Sequence, residues 1–213
     1  SEVVVGSPYF IPGQLGMEGL RIARTHGVKV EVITNSLASN DEPFASAAYS
    51  NYRVPMLKLG ANLYETDSSQ LKHDKLIGDA LQNSIGCSHS KLIVIDRRIT
   101  FVGSMNMDFR SSRENTEVGL LVDSPELAAD VVGLIDDLRA SGTYRMRLSA
   151  QGAVEWIDAG PAGETVFEDE PEVGLLTRFE VFMLSPLGGE DLLEEPGRQK
   201  MPSAAGSFCR PGC

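Results

Sequence analysis

The 213-residue chain has few cysteines, few histidines and no long hydrophobic run. Its three cysteines (Cys87, Cys209 and Cys213) show neither the spacing of a metal site nor the even number of a disulfide framework, which favours a reducing compartment. No stretch approaches the roughly eighteen consecutive apolar residues of a membrane-spanning helix. The first ten residues also lack a secretory signal. Because the chain begins with Ser1 and enters a strand-like stretch at once, we expect it to be part of a longer protein.

Positive charge is also scarce. The chain has 19 Lys and Arg against 30 Asp and Glu, giving a formal net charge of −11. Proteins that bind nucleic acid without sequence preference usually carry a basic face, so we do not expect nucleic acid as a partner. The charge balance still allows a local basic pocket for a small anionic substrate.

Hydrophobic periodicity predicts alternating strands and helices over most of the chain. The predicted strands cover 2–6, 28–34, 61–65, 90–96, 99–103 and 117–123, and the predicted helices cover 14–26, 43–59 and 125–142. This order predicts an α/β fold with a mixed sheet, partly linked by hairpins and flanked by helices.

We predict three regions along the chain. Residues 1–142 form the main domain, and residues 143–187 form an extension of short strands that packs on it. Residues 188–213 are rich in Gly, Pro, Ser and charge and are predicted to be disordered. Within the extension, the apolar stretch 174–184 is predicted to be a core strand, with docking on a membrane surface as the alternative.

The segment "HSKLIVIDRRITFVGSMN" is an apolar strand headed by one of the chain's three histidines, His89. Residues two apart in a strand share a face, so His89 and Lys91 are predicted to point the same way. Ile93 and Ile95 would continue that face into the core, with Asp96 on the other face. A fixed cation beside an imidazole disfavours protonation of the ring and leaves it available as a nucleophile. The lysine would also attract an anionic substrate.

The residues that follow suit a phosphate group. Gly103 allows close backbone approach, and Ser104 and Asn106 offer uncharged donors at alternate positions. A lysine, a hydroxyl and an amide around one histidine match the several acceptor oxygens of a phosphoryl group. Glu117 opens the next strand. If that strand pairs beside the first, its carboxylate is expected to accept the second imidazole N–H.

The spacing of these residues resembles the signature of the phospholipase D superfamily: H-x-K, four residues, D, six residues, then G-S-x-N. The following "DFRSSRENTE" supplies the family's downstream glutamate as Glu117. Other stretches, including "SPYFIPG", "VKVEVITNSLASND" and "YRVPMLKLGANLYE", resemble the C-terminal half of bacterial cardiolipin synthases. A dispersed set of matches with fixed spacing is far more specific than a single H-x-K.

The resemblance implies a phosphodiester transfer without a metal or other cofactor. One histidine attacks phosphorus to give a phosphohistidine, and a second protonates the leaving alcohol. Lys91, Ser104 and Asn106 would hold the phosphate, and His89 would act as nucleophile or as acid/base. Asp96 is expected either to support the site through hydrogen bonds or to serve only as a turn residue.

The resemblance also implies partners. The family's site needs two motifs that face each other across a pseudo-twofold axis, and this chain has one, because His26 and His73 lack the remaining motif residues. Residues 1–142 would thus be one catalytic half of a phosphatidyltransferase acting on glycerophospholipids at the cytoplasmic side of the membrane. The second motif would lie upstream in the same protein or in a second subunit.

Two alternatives remain open at this stage. Two copies of the chain could form a homodimeric phosphodiesterase or nuclease, an arrangement that twofold symmetry allows. The chain could also be an isolated half that binds phospholipid head groups without turnover.

Overall fold

The computed structural model describes residues 1–40, 42–69, 89–108, 111–112, 114–160 and 163–188. The strands within these residues are β1 Glu2–Gly6, β2 Lys29–Thr34, β3 Asn62–Thr66, β4 Leu92–Ile95, β5 Ile99–Gly103, β6 Gly119–Asp123, β7 Thr143–Leu148, β8 Val154–Gly160 and β9 Gly163–Phe167. The longer helices are α1 Gly13–Thr25, α2 Pro43–Lys58, α3 Pro125–Ser141 and α4 Leu175–Gly188. From residue 189 onward, the tail that we predict to be disordered lies outside the described residues.

The nine strands form one sheet in the order β6-β5-β4-β1-β2-β3-β7-β8-β9. The central strands β1, β2 and β3 run parallel, whereas β4, β5 and β6 form an antiparallel meander on one side. The predicted mixed sheet, partly linked by hairpins, is therefore confirmed. On the other side, β7 to β9 continue the same sheet from β3. A domain boundary at residue 142 stays a prediction.

Helices cover both faces of the sheet centre. On one face, α1 and α2 pack over a core that includes Val5, Val32, Met56, Leu63 and Trp156. On the other face, α3 packs over a smaller core made of Val4, Ile33, Val94, Ala128, Val132 and Ile135. The strands near the centre are thus covered on both faces, which explains the consecutive apolar residues of β1 (EVVVG) and β4 (LIVI).

The burial of β4 differs from the prediction. The expected core residue Ile95 is 38% exposed, while Val94, on the opposite face, is 1% exposed because it lies under α3. Ile93 is partly buried on the α1 and α2 side. Alternation assigned the two faces correctly, but it could not show that the second face would also be covered by a helix.

The prediction of a core strand over 174–184 was wrong, because α4 occupies Leu175–Gly188. Val181 is buried in a small cluster with Leu37 and Ala47. Four apolar side chains of α4 are instead exposed: Leu175, Leu176, Phe179 and Met183. An apolar run of this length fits a strand or a helix equally well in sequence, and here the packing of one helical face decided the outcome.

A buried ion network joins α2 and β3 to the segment after β9. Arg53 Nε donates to Glu65 Oε1 at 2.7 Å, and Arg53 Nη2 donates to Glu170 Oε1 at 2.6 Å. Trp156 Nε1 donates to the other Glu65 oxygen at 2.8 Å. Glu65 is 0% exposed, and burial raises its pKa to about 7, against the lowering effect of Arg53. One guanidinium thus serves two carboxylates, which favours proton uptake by the pair.

Candidate active site

Antiparallel pairing brings the predicted site residues to one end of the sheet. The start of β4 lies beside the end of β1, since Leu92 pairs with Gly6. The end of β5 and the start of β6 lie at the same level, where Gly103 pairs with Gly119. The carboxyl ends of parallel β1, β2 and β3 point to this end too, and ligands of open α/β sheets bind there.

His89 and Lys91 are in direct contact at the head of β4. Lys91 Nζ donates to the backbone oxygen of His89 at 2.9 Å and lies 3.4 Å from His89 Nδ1. The His89 side chain is exposed, which leaves the imidazole accessible to a substrate. The predicted shared face is therefore observed, with the ammonium held against the ring.

Ser104 and Glu117 form a second pair at the same end of the sheet. The Ser104 hydroxyl donates to Glu117 Oε2, and the Val118 N–H donates to Ser104 Oγ at 3.0 Å. The hydrogen bond from Ser104 holds the pKa of Glu117 below its ordinary value, and Asn115 and the Lys91 charge lower it further. Lys91 therefore acts electrostatically on the carboxylate while it touches His89.

Gly103 allows the close approach of β5 and β6 that this pair requires. A Cβ at Gly103 would lie 2.5 Å from Val118 O and 2.8 Å from the Cα of Gly119. No side chain fits in that space, so the expectation of close backbone approach at Gly103 is confirmed.

Asn106 lies in an irregular segment that returns from β5 toward β1. Its Oδ1 is buried and accepts no hydrogen bond from the part of the chain that the structure describes. The next residue is tied to the loop after β1: Met107 N donates to Ser7 Oγ at 3.2 Å, and Ile11 N donates to Met107 O at 2.7 Å. Sequence reasoning did not identify Ser7, because a serine after a strand carries no specific signal.

Glu117 has different partners from those expected. The predicted contact with the imidazole depended on its strand pairing beside that of His89, and this condition is not met because β5 lies between β4 and β6. Among the described residues, Glu117 instead accepts hydrogen bonds from Ser104 and from Asn115 Nδ2, the latter at 3.3 Å. The expected contact of Glu117 with the imidazole is not observed, and the Ser104 hydroxyl occupies one of its oxygens instead.

Asp96 does not lie at the site. It follows β4 at the end opposite to Lys91, in a tight turn where Asp96 and Arg97 both have a φ of 51°. Its Oδ1 accepts the backbone N–H of Glu2 at 2.8 Å, which holds the start of β1. A catalytic role for Asp96 is therefore corrected to a structural one, in agreement with the turn alternative.

The assembled group can bind and transfer an anionic group. An accessible imidazole, an ammonium and a hydroxyl bonded to a carboxylate lie at one end of the sheet, and the following segment carries the half-buried Asn106. Such donors suit an oxyanion with several acceptor oxygens. The described residues contain no cluster of three or more His, Cys, Asp or Glu side chains suited to a metal ion.

Comparison with known proteins gives a consistent family assignment. Residues 1–138 match a family model described as "Cardiolipin synthase, PLD-like domain", where PLD stands for phospholipase D. The chain is 32% identical over 188 residues to cardiolipin synthase C of Escherichia coli K12. That match covers 88% of this chain and 40% of the relative. The chain therefore spans well under half the length of that protein.

Other relatives and solved structures give more distant matches. The cardiolipin synthase of Listeria welshimeri is 32% identical over 120 residues, covering 56% of this chain and 21% of that protein. Nuc from Salmonella typhimurium, a phospholipase D family member, superposes with a TM-score of 0.48 at 18% identity, covering 67% of this chain and 80% of Nuc. The phosphatidylserine synthase of Haemophilus influenzae superposes with a TM-score of 0.49 at 17% identity, covering 88% of this chain and 41% of that protein.

Proposed function

The chain belongs to the family of phospholipase D-like domains found in cardiolipin synthases, and from that premise we propose that it transfers phosphodiesters through a phosphohistidine. The contact of Lys91 with His89, at the sheet end that also holds Ser104 and Glu117, is the observation that carries the proposal. Lys91 and Asn106 hold the phosphate oxygens, and Ser104 joins them by turning its single hydroxyl proton from Glu117 to the phosphate.

The reaction has two steps. In the first, an imidazole nitrogen forms a bond to phosphorus, the bond from phosphorus to the leaving alcohol oxygen breaks, and a second acid group gives that oxygen a proton. In the second, an acceptor alcohol loses its proton to the same group and attacks phosphorus, and the N–P bond breaks. His89 supplies one of the two groups, and the other comes from outside this motif.

The substrates follow from the named relatives. Cardiolipin synthases are among the proteins this chain resembles, which supports a glycerophospholipid donor and the hydroxyl of phosphatidylglycerol as acceptor. The net charge of −11 supports a lipid over a nucleic-acid substrate, because a DNA-cleaving surface gains from positive charge along the strand.

An exposed apolar edge supports a second motif-bearing half. The edge strand β6 and its neighbours expose Val102, Val118, Leu120 and Leu121, by 46–73%, next to Ser104 and Glu117. An uncovered apolar sheet edge is unusual in a protein that works alone. We infer that the half carrying the second motif, upstream in the same protein or in another subunit, packs against this edge.

Membrane contact of the peripheral kind belongs to the same proposal. Among the described residues, no helix has the length and apolar character to cross a bilayer. The exposed apolar side chains of α4 support contact with lipid at a surface, which we place at the cytoplasmic side of the membrane.

The experiment is a lipid-conversion assay of the complete protein, including the half that carries the second motif, with phosphatidylglycerol vesicles and mass spectrometry of cardiolipin and phosphatidic acid. It compares wild type with His89→Ala and with His26→Ala as the control. His26 is an exposed histidine that follows α1, and its Nδ1 is hydrogen-bonded to the Ile22 carbonyl oxygen. Turnover lost only in His89→Ala supports the proposal. Turnover retained in His89→Ala refutes the role of His89.

The same samples separate the alternatives. Analytical ultracentrifugation together with a nuclease assay tests for a stable dimer that cuts DNA, and this result would replace the lipid reaction by the nuclease alternative. Head-group binding to the vesicles with no product would point to a half that binds without turnover.

A further inference from the structure

We propose that Ser7, at the end of β1, is the positioning residue that sets the place of Asn106 in the phosphate site. The inference rests on the proposed function for the identity of the ligand, because it assumes that Asn106 meets a phosphate group. The attachment of Met107 to Ser7 is itself supported by hydrogen bonds among described residues.

The segment that carries Ser104 and Asn106 is fixed at both ends by different strands. At the Ser104 end, the backbone N–H donates to Val118 O at 2.9 Å, which ties the segment to β6. At the other end, both backbone groups of Met107 are bonded to the loop after β1, through Ser7 Oγ and through Ile11 N. Asn106 lies between these two attachments.

Ser7 is built to hold that second attachment. It is 3% exposed, and its backbone N–H donates to Ile33 O at 3.1 Å, which fixes it to β2. Its hydroxyl donates to Tyr9 O at 2.6 Å. Because a hydroxyl has only one proton, Ser7 Oγ must act as the acceptor for Met107 N. One buried side chain therefore sets both the course of the loop after β1 and the position of the residue after Asn106.

The Asn106 amide depends on this backbone for its orientation. Its Oδ1 is buried and receives no hydrogen bond within the described ranges, so no side chain there turns it toward the site. A catalytic or binding group displaced by about 1 Å can lose a large factor in rate. Loss of the Ser7 hydroxyl should therefore be felt at the phosphate, although Ser7 itself makes no contact with it.

The test uses the full chain as Ser7→Ala, Ser7→Thr and wild type, with Ser46→Ala as the matched control. Ser46, in the first turn of α2, is as buried as Ser7 and accepts a hydrogen bond from Asn40 Nδ2 at 2.6 Å. Two properties are measured by NMR: hydrogen exchange of the Met107 amide, and the affinity for inorganic phosphate followed on Asn106. Lipid turnover is measured separately, with the same substitutions in the complete protein that includes the second motif.

In Ser7→Ala we expect faster exchange at Met107 and about 3- to 10-fold weaker phosphate binding, which corresponds to the loss of one hydrogen bond. KM for the lipid should rise by a similar factor, because the phosphate contact weakens in the bound substrate as well. Ser7→Thr, which keeps the hydroxyl, should restore both, and Ser46→Ala should match wild type.

Unchanged exchange and phosphate affinity in Ser7→Ala would overturn the inference even if lipid turnover is found. If the complete protein, with the half that carries the second motif, converts no lipid in any variant, wild type included, while Ser7→Ala still weakens phosphate binding selectively, the lipid reaction is refuted and the Ser7 inference stands. A wild-type chain that binds no phosphate would overturn the inference, because Asn106 would then have no phosphate group to contact.

Discussion

Lys91 Nζ contacts both the backbone and the ring of His89: it lies 2.9 Å from the His89 carbonyl oxygen and 3.4 Å from His89 Nδ1. The lysine is thus folded back onto the residue two positions before it, and its charge also acts on Glu117. The ammonium therefore lies against the His89 ring and also acts on the Glu117 carboxylate.

Replacing Lys91 by Met should lower turnover by about 10²- to 10³-fold, because a fixed cation at developing negative charge contributes that much in comparable sites. Folding should be unaffected, since the Lys91 side chain lies directly before β4 and is only partly buried. The measurement is steady-state lipid conversion. Lys58→Met, at the exposed last turn of α2, is the control and should behave as wild type.

Replacing Ser104 by Ala should raise the pKa of Glu117 toward its ordinary value, because the hydrogen bond from Ser104 is the largest cause that lowers it. The Asn115→Ala change should raise it less, since that amide contributes less. NMR titration of the Glu117 carboxyl carbon measures both. Equal shifts in the two variants, or none in Ser104→Ala, would contradict the observed pairing.

The buried network of Arg53, Glu65 and Glu170 should make stability depend on pH. The folded state raises the pKa of Glu65 to about 7, so it holds a proton more tightly than the unfolded chain does. This contribution is fully present below the ordinary pKa near 4.5 and is lost as pH rises to about 7. Urea unfolding should show a fall of about 1–3 kcal/mol over that range.

The Glu65→Gln change should remove this slope, because glutamine stays neutral at every pH. Glu155→Gln is the control: Glu155 lies on β8 and pairs with the exposed Arg147, so the slope should remain. A wild-type protein whose stability is flat between those pH values would show that Glu65 is ionised throughout.

Gly103→Ala should destabilise the fold by about 1–3 kcal/mol, because its Cβ would enter the space of the Val118 carbonyl. The matched change Gly133→Ala lies on the exposed face of α3, where nothing stands within 4 Å of the added Cβ. That variant should gain about 0.5–1 kcal/mol from helix propensity. Thermal unfolding measures both, and destabilisation of similar size in the two would refute the close-approach argument.

Local patterns predicted the regular elements well. The strand 99–103 and the start of α3 agree with the structure, where the Ser124 hydroxyl accepts the Leu127 N–H at 3.2 Å as an N-cap. Spacing along the chain also brought His89, Lys91 and Ser104 to the same end of the sheet, because a hairpin returns the chain to its starting level.

The order of strands could not be predicted in the same way. Glu117 was expected beside His89, but β5 separates the two strands, and pairing of that kind depends on contacts far apart in sequence. The burial of Val94 depends on α3, and the helical state of α4 depends on the packing of Val181. Ser7 was missed since its role arises only when Met107 comes next to it, 100 residues later.

The turn at Asp96 also explains the intervals in the motif. The four residues between Lys91 and Asp96 are β4 itself, and the six between Asp96 and Gly103 are the turn and the body of β5. The two intervals thus correspond to the lengths of the hairpin's strands. The candidate site lies at the open end of the hairpin, and Asp96 holds the start of β1 at its closed end. Deleting a single residue from β4 would exchange its inward and outward side chains and move Asp96 away from Glu2, so the pairing of β4 with β1 fixes the length of this interval.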